Sequence, residues 1–147
     1  MKKRRLFVAL LLAAAILCAF LLAGKQGTQR RAMVQLGLWQ RPYAQSAESL
    51  FRNRSYKVLP GVRYVNVWTC GETLQAEYHM GGGGFGASTY YWGIYTTTDG
   101  EPCGWQGAEL PLTLIEDGAW FWQEESSDNM YYTCELLPGW YYYRMEF

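Results

Sequence analysis

The chain has a single histidine, His79. Any triad built on imidazole would have to use it, and no GxSxG elbow supplies a serine nucleophile. No CxxC or HxxxH spacing occurs, and Cys70, Cys103 and Cys134 are separated by more than thirty residues each, so no metal centre is expected. The glycines at 81–84 lack the Lys-Ser/Thr pair that opens a helix in a phosphate-binding loop, and a strand-like run, "TYYWGIYTTT", follows them. They read as a glycine-rich connection between two strands, and no cofactor is expected. Lys and Arg are missing between Arg63 and Arg144, which makes this part of the chain repel phosphate and argues against nucleic acid. There is no internal repeat.

Several residual chemistries fail on geometry. A thiol dyad of Cys70 and His79 would span opposite ends of one hairpin, roughly 20 Å at about 3.3 Å per residue, beyond hydrogen-bond reach. The acid pairs Glu116–Asp117 and Glu124–Glu125 are sequence neighbours, whereas glycoside hydrolysis needs two carboxyls facing each other across a cleft. No catalytic residue is therefore assigned.

What is present begins with "MKKRRLFVALLLAAAILCAFLLAG". Four cations precede an uncharged run from Leu6 to Gly24, whose nineteen residues reach roughly 28 Å as a helix, close to the thickness of a bilayer core. Residues 1–24 are read as a signal-anchor or transmembrane helix. Leucine three residues before a cut at Ala23 or Gly24 disfavours cleavage, and cleavage would make the chain secreted. Leu17 before Cys18 disfavours a lipoprotein signal. The charge count across the segment is even, with Lys2, Lys3, Arg4 and Arg5 against Lys25, Arg30, Arg31 and Arg41. The short basic tail resembles one that stays inside, which places the body outside the cytoplasm.

The balanced net charge hides two blocks. Residues 25–57 carry seven Lys or Arg against Glu48, a net of +6, and residues 58–147 carry two Arg against twelve acids, a net of −10. The basic segment either contacts an anionic membrane surface, through Lys25, Arg30, Arg31 and Arg41, or docks on the acidic part of its own chain. Within this stalk, residues 25–55, the residues Tyr43, Ala47, Leu50 and Phe51 fall on one helical face after Pro42, and "RNRS" ends the helix.

Residues 56–147 form the third region, an aromatic-rich, acidic β domain. Alternation and turn dipeptides predict about seven short antiparallel strands, hence an all-β sandwich or barrel-like domain. In "VRYVNVWTCGETLQAEYHM" a Gly71-Glu72 turn pairs Cys70 with Thr73, Trp68 with Gln75, Asn66 with Glu77 and Tyr64 with His79. One face is then apolar: Val65, Val67, Leu74, Ala76, Tyr78 and Met80. The other, with Tyr64, Asn66, Trp68, Gln75, Glu77 and His79, mixes rings with amide, carboxylate and imidazole groups, the equipment to grip a sugar or a peptide. The competing reading has the helix at 43–53 covering this face with Leu50 and Phe51. A second hairpin turns at Asp117-Gly118, and large rings on both its faces predict a central position. Two more strands flank Pro138-Gly139, where a type II turn would fit direct pairing poorly. Most of the nineteen aromatics from residue 58 onward are expected in the core. Cys70 and Cys103 are the pair for a disulfide, the alternative being small buried thiols.

These observations point to a single-pass membrane protein whose extracytoplasmic β domain is a non-catalytic cell-envelope module binding a protein partner. A wall-glycan-binding module using the mixed face is one alternative, and a small envelope hydrolase is another.

Overall fold

In the computed structural model the described residues are 7–8, 10–15, 18 and 24–147 apart from 87 and 117. The chain divides into two compact units, Met1–Arg31 and Ala32–Phe147. The expected membrane segment at 1–24 lies largely outside the described residues, among which no helix is long and apolar enough to cross a membrane.

Helix α1 (Gly24–Leu38) passes almost directly into α2 (Gln40–Asn53). Helical hydrogen bonds run on through the junction, from the Trp39 N–H to the Gln35 carbonyl and from the Tyr43 N–H to the Trp39 carbonyl, both at 3.0 Å. The break falls here because Pro42 has no N–H to offer the Leu38 carbonyl and its ring crowds that carbonyl. Arg54, in the left-handed region, caps α2 by donating to the Leu50 carbonyl.

Seven strands follow: β1 (Tyr64–Cys70), β2 (Thr73–Phe85), β3 (Ser88–Thr97), β4 (Thr113–Glu116), β5 (Ala119–Gln123), β6 (Met130–Leu137) and β7 (Trp140–Glu146). All pairs are antiparallel, in the order β1-β2-β3-β7-β6-β5-β4. The fold is thus mostly β, but the expected sandwich or barrel is replaced by one open sheet with edges at β1 and β4. Two meanders, β1–β3 and β4–β7, meet where β7 pairs β3. Covering segments do the work of a second sheet: helices bury one face, and the link from Thr98 to Leu112 passes over the other.

On the helix side, Val65, Ala76, Tyr78, Met80, Ile94, Tyr142 and Cys134 form one core with Ala32, Leu36, Tyr43, Ala47 and Leu50. Tyr43 is fully buried, edge-on to Tyr78 at 5.1 Å and to Trp140 at 5.8 Å. The helical stripe around Tyr43 therefore covers the apolar face of the first hairpin and not the mixed one: Tyr43, Ala47 and Leu50 bury apolar area against Val65, Ala76, Tyr78 and Met80.

The β1–β2 register is the one its turn implies, with Tyr64 opposite His79 and Cys70 opposite Thr73. Gly71 has φ +56, as the first turn position of type II′ requires. Three further expectations need correction. The glycines at 81–84 are part of β2 itself, after a bulge between His79 and Gly81. Gly81 pairs Trp92 and Gly83 pairs Tyr90, and a Cβ at either would come within 2.9 or 3.0 Å of the opposing ring. The aromatic side chains of β3 lie across the bare glycines and cover that backbone. The β4–β5 hairpin is peripheral, since β4 is an edge. Its rings are only half-buried, Trp120 and Trp122 packing against the cluster that holds Tyr131, Tyr141 and Tyr143, so rings on both faces did not require a central strand. Its turn pairs Glu116 with Ala119 and Gly118 has φ +70; Asp117 lies outside the described residues. Around Pro138-Gly139, β6 and β7 do pair directly, with a bulge between Glu135 and Leu137 that absorbs the mismatch in twist.

Candidate functional site

The mixed face of the first hairpin holds a buried polar cluster. Alternation along β2 sends Gln75, Glu77 and His79 to the side opposite Tyr78, and all three are buried. From β7, two strands away, the Tyr143 hydroxyl donates to Glu77 Oε1 at 3.0 Å and lies 3.3 Å from His79 Nδ1. It reaches across β3 because the residue between them is Gly93, where a Cβ would meet the Tyr143 ring at 2.8 Å and the Tyr78 carbonyl oxygen at 2.2 Å. When Glu77 is ionised the Tyr143 hydroxyl donates to it and its oxygen accepts from imidazole, which puts the His79 proton on Nδ1 in that state.

The crossing link supplies the lid of this cluster. The Gln106 N–H donates to Glu77 Oε2 at 3.3 Å, and the Gly107 N–H to Gln75 Oε1 at 2.8 Å. Gln75 Nε2 in turn donates to the Gly104 carbonyl at 3.1 Å. Gln106 and Gly107, both at positive φ, form a tight turn that aims successive N–H groups at the sheet. A disulfide between Cys70 and Cys103 ties the link to the end of β1. Tyr95 and Tyr131 hold the Cys103 backbone from below, Tyr95 accepting from its N–H at 3.1 Å and Tyr131 donating to its carbonyl at 3.0 Å.

Burial sets the electrostatics. Desolvation pushes the Glu77 carboxyl up to about 7, opposed by its bonds from Tyr143 and Gln106. Desolvation, helped by the Arg63 charge, lowers His79 to about 4. Tyr143 is raised well above the ordinary phenol value by burial and by the adjacent Glu77. At neutral pH the cluster is a phenol, a neutral imidazole and a carboxyl close to half-ionised.

Each sequence-predicted residue has a definite place. Tyr64 is 40% exposed and stacks on His79 with 4.2 Å between ring centroids. Asn66 and Trp68 are half-buried. Gln75, Glu77 and His79 spend their polar atoms on the link and on Tyr143, so they do not form an open gripping surface. Arg30, Arg31 and Arg41 are exposed, and the Lys25 side chain lies outside the described residues. Among the described residues no three His, Cys, Asp or Glu gather closely enough to hold a metal.

Sequence reasoning missed Tyr143 and Gly93. Alternation in "WYYYRME" puts Tyr141 and Tyr143 on one face, but nothing in it tells which strand lies alongside. Chemically, the cluster can share a proton among three groups, yet none of them reaches a solvent-borne substrate while the link is closed. Open depressions among the described residues lie elsewhere. One, of about 520 Å³, is lined by Pro111, Thr113, Phe121, Trp122 and Gln123 with Glu124 and Glu125 at the edge β4–β5. Another, of about 300 Å³, lies between α2 and residues 55–59. Comparison with protein-family models, curated proteins and solved structures finds no match for the chain.

Proposed function

We propose that the chain is a membrane-anchored module whose β domain lies outside the cytoplasm and binds a protein partner there without catalysing a reaction. The observation that carries the partner reading is the β4 edge. All four of its residues are exposed, Leu114 at 61% and Ile115 at 50%, and the notch beside Phe121 and Trp122 continues it. An exposed apolar edge strand is a ready template for pairing with another chain. The Cys70–Cys103 bond favours an oxidising compartment, and the basic tail with the apolar run at 6–24 favours anchorage. The closed state of Glu77, His79 and Tyr143 weighs against a hydrolase.

The test places a photo-crosslinking amino acid at Leu114 and, separately, at Phe85 and Tyr64, in intact cells. A discrete protein adduct from Leu114 and none from Phe85 is the expected result. No adduct from any of the three positions overturns the partner reading. Glycan binding retains one supporting feature, the exposed Tyr64 ring backed by His79. An adduct-free chain whose affinity for wall glycan is lost in Tyr64→Ala would favour it.

A further inference from the structure

Met33 (50% exposed), Val34 (57%), Leu38 (75%) and Trp39 (42%) form an unpartnered apolar strip along the end of α1 and the bend into α2. The same stretch buries Ala32 and Leu36 on its other side in the core beneath the sheet. Residues 32–39 are thus apolar on both sides, one spent on the domain and one facing out. A solvated helix face of this length is normally polar, so the outward strip calls for a covering phase.

The charge around it specifies that phase. No Asp or Glu occurs before Glu48, while Arg30 and Arg31 precede the strip in sequence and exposed Arg41 follows it. Lys25 begins this basic stretch directly after the apolar run that ends at Gly24. An apolar strip with tryptophan at one end and Arg41 just beyond it, in a stretch without acids, matches the interface of an anionic bilayer: the arginine meets phosphate, and the apolar residues lie at the headgroup–acyl boundary. A protein partner would also cover the strip, but it would give no reason for acids to be missing from the whole stretch.

We infer that Met33, Val34, Leu38 and Trp39 dip into the surface of an anionic membrane, with Arg41 paired to lipid phosphate, so that the β domain is held against the bilayer by its own helix. This rests on the anchored reading for the nearness of the membrane. The contact is an addition to the anchor and lies within the unit that contains the sheet.

The test uses the full chain carrying Cys18→Ser and Leu38→Cys, labelled at residue 38 with an environment-sensitive fluorophore. Cys134 is buried and Cys70 and Cys103 are bonded, so they do not compete for the label. The protein is placed at one copy per lipid nanodisc, in phosphatidylcholine alone or with a quarter phosphatidylglycerol, and a second label site at Glu72 serves as reference. On the anionic discs the residue 38 label is expected to shift to the blue and resist water-soluble quencher, while the Glu72 label does not. At about 1 kcal/mol per arginine, Arg41→Ala should lower the docked-to-free ratio about fivefold. A chain that does not travel with the discs overturns the anchor and the inference together. A chain that travels with them but whose residue 38 label quenches as freely as that at Glu72 overturns the inference alone. So does a shift that appears only with two copies per disc, since protein would then be covering the strip.

Discussion

Glu77 and His79 make opposite demands on pH, and the difference can be measured. A carboxyl raised from 4.5 to about 7 by folding contributes its stability in full below pH 4.5 and loses it as pH rises toward 7. An imidazole lowered from 6.5 to about 4 contributes above pH 6.5 and loses it as pH falls toward 4. At 1.36 kcal/mol per unit, going from pH 5 to pH 8 costs the fold between about 2 and 3 kcal/mol at Glu77 and returns about 2 kcal/mol at His79. In the native chain the two nearly cancel. Glu77→Gln removes the first, so the stability of this variant relative to the parent should rise by about 2 to 3 kcal/mol between pH 5 and pH 8. His79→Gln should tilt the other way by about 2 kcal/mol. The amide that Glu77→Gln turns toward the Gln106 N–H adds a penalty, but one that is equal at every pH and leaves the slope intact. Urea unfolding of the detergent-solubilised full chain at three pH values, followed by tryptophan fluorescence, gives both slopes. Differences that stay flat with pH, or that tilt in the same direction for both variants, would refute the assignment of a buried carboxyl and a buried neutral imidazole to one cluster.

Three further outcomes follow from the packing. Gly93→Ala places a methyl against the Tyr78 carbonyl and the Tyr143 ring, and should destabilise by about 1–3 kcal/mol while exposing the Glu77 region to faster amide exchange. Breaking the disulfide with Cys103→Ser opens a ring of 33 residues in sequence separation; the expected loss is roughly 3–4 kcal/mol, read as a lower denaturation midpoint, with protection falling first in residues 101–112. Tyr43→Ala removes the ring between Tyr78 and Trp140 and should cost about 3–5 kcal/mol, with unchanged disulfide formation in whatever fraction still folds.

Much of the local structure was legible because local chemistry decides it. A glycine at the first turn position set the whole β1–β2 register, and with it the sorting of Tyr78 from Glu77. The stripe of Tyr43, Ala47 and Leu50 marked the buried side of α2. What stayed hidden depends on partners far away in sequence. That β7 lies beside β3 is fixed by packing between rings fifty residues apart, and only this pairing lets Tyr143 lean over Gly93 to Glu77. The mixed face read either as a gripping platform or as a surface under the helix because Gln75, Glu77 and His79 look unsatisfied in isolation; their partners are mostly backbone groups of the link, whose Cys103 marked one tether to β1 while nothing in its sequence marked the N–H groups of Gln106 and Gly107 as the cover. The glycines read as a connection because glycine disfavours strands, a preference overridden by Tyr90 and Trp92 lying across them.

The seam between β3 and β7 also sets an order of assembly. Each meander can pair its own strands through short turns, but residues 90–96 must wait for residues 140–146 before the halves join. Contacts at that separation carry the largest loop-closure entropy in the sheet and form late. Until they do, two tyrosine-rich edges are bare, and the link cannot settle, because Tyr143 is not yet in place under it. Folding speed should therefore be governed by seam closure, and the half-assembled chain, with both edges open, is the species most prone to pair with another copy of itself.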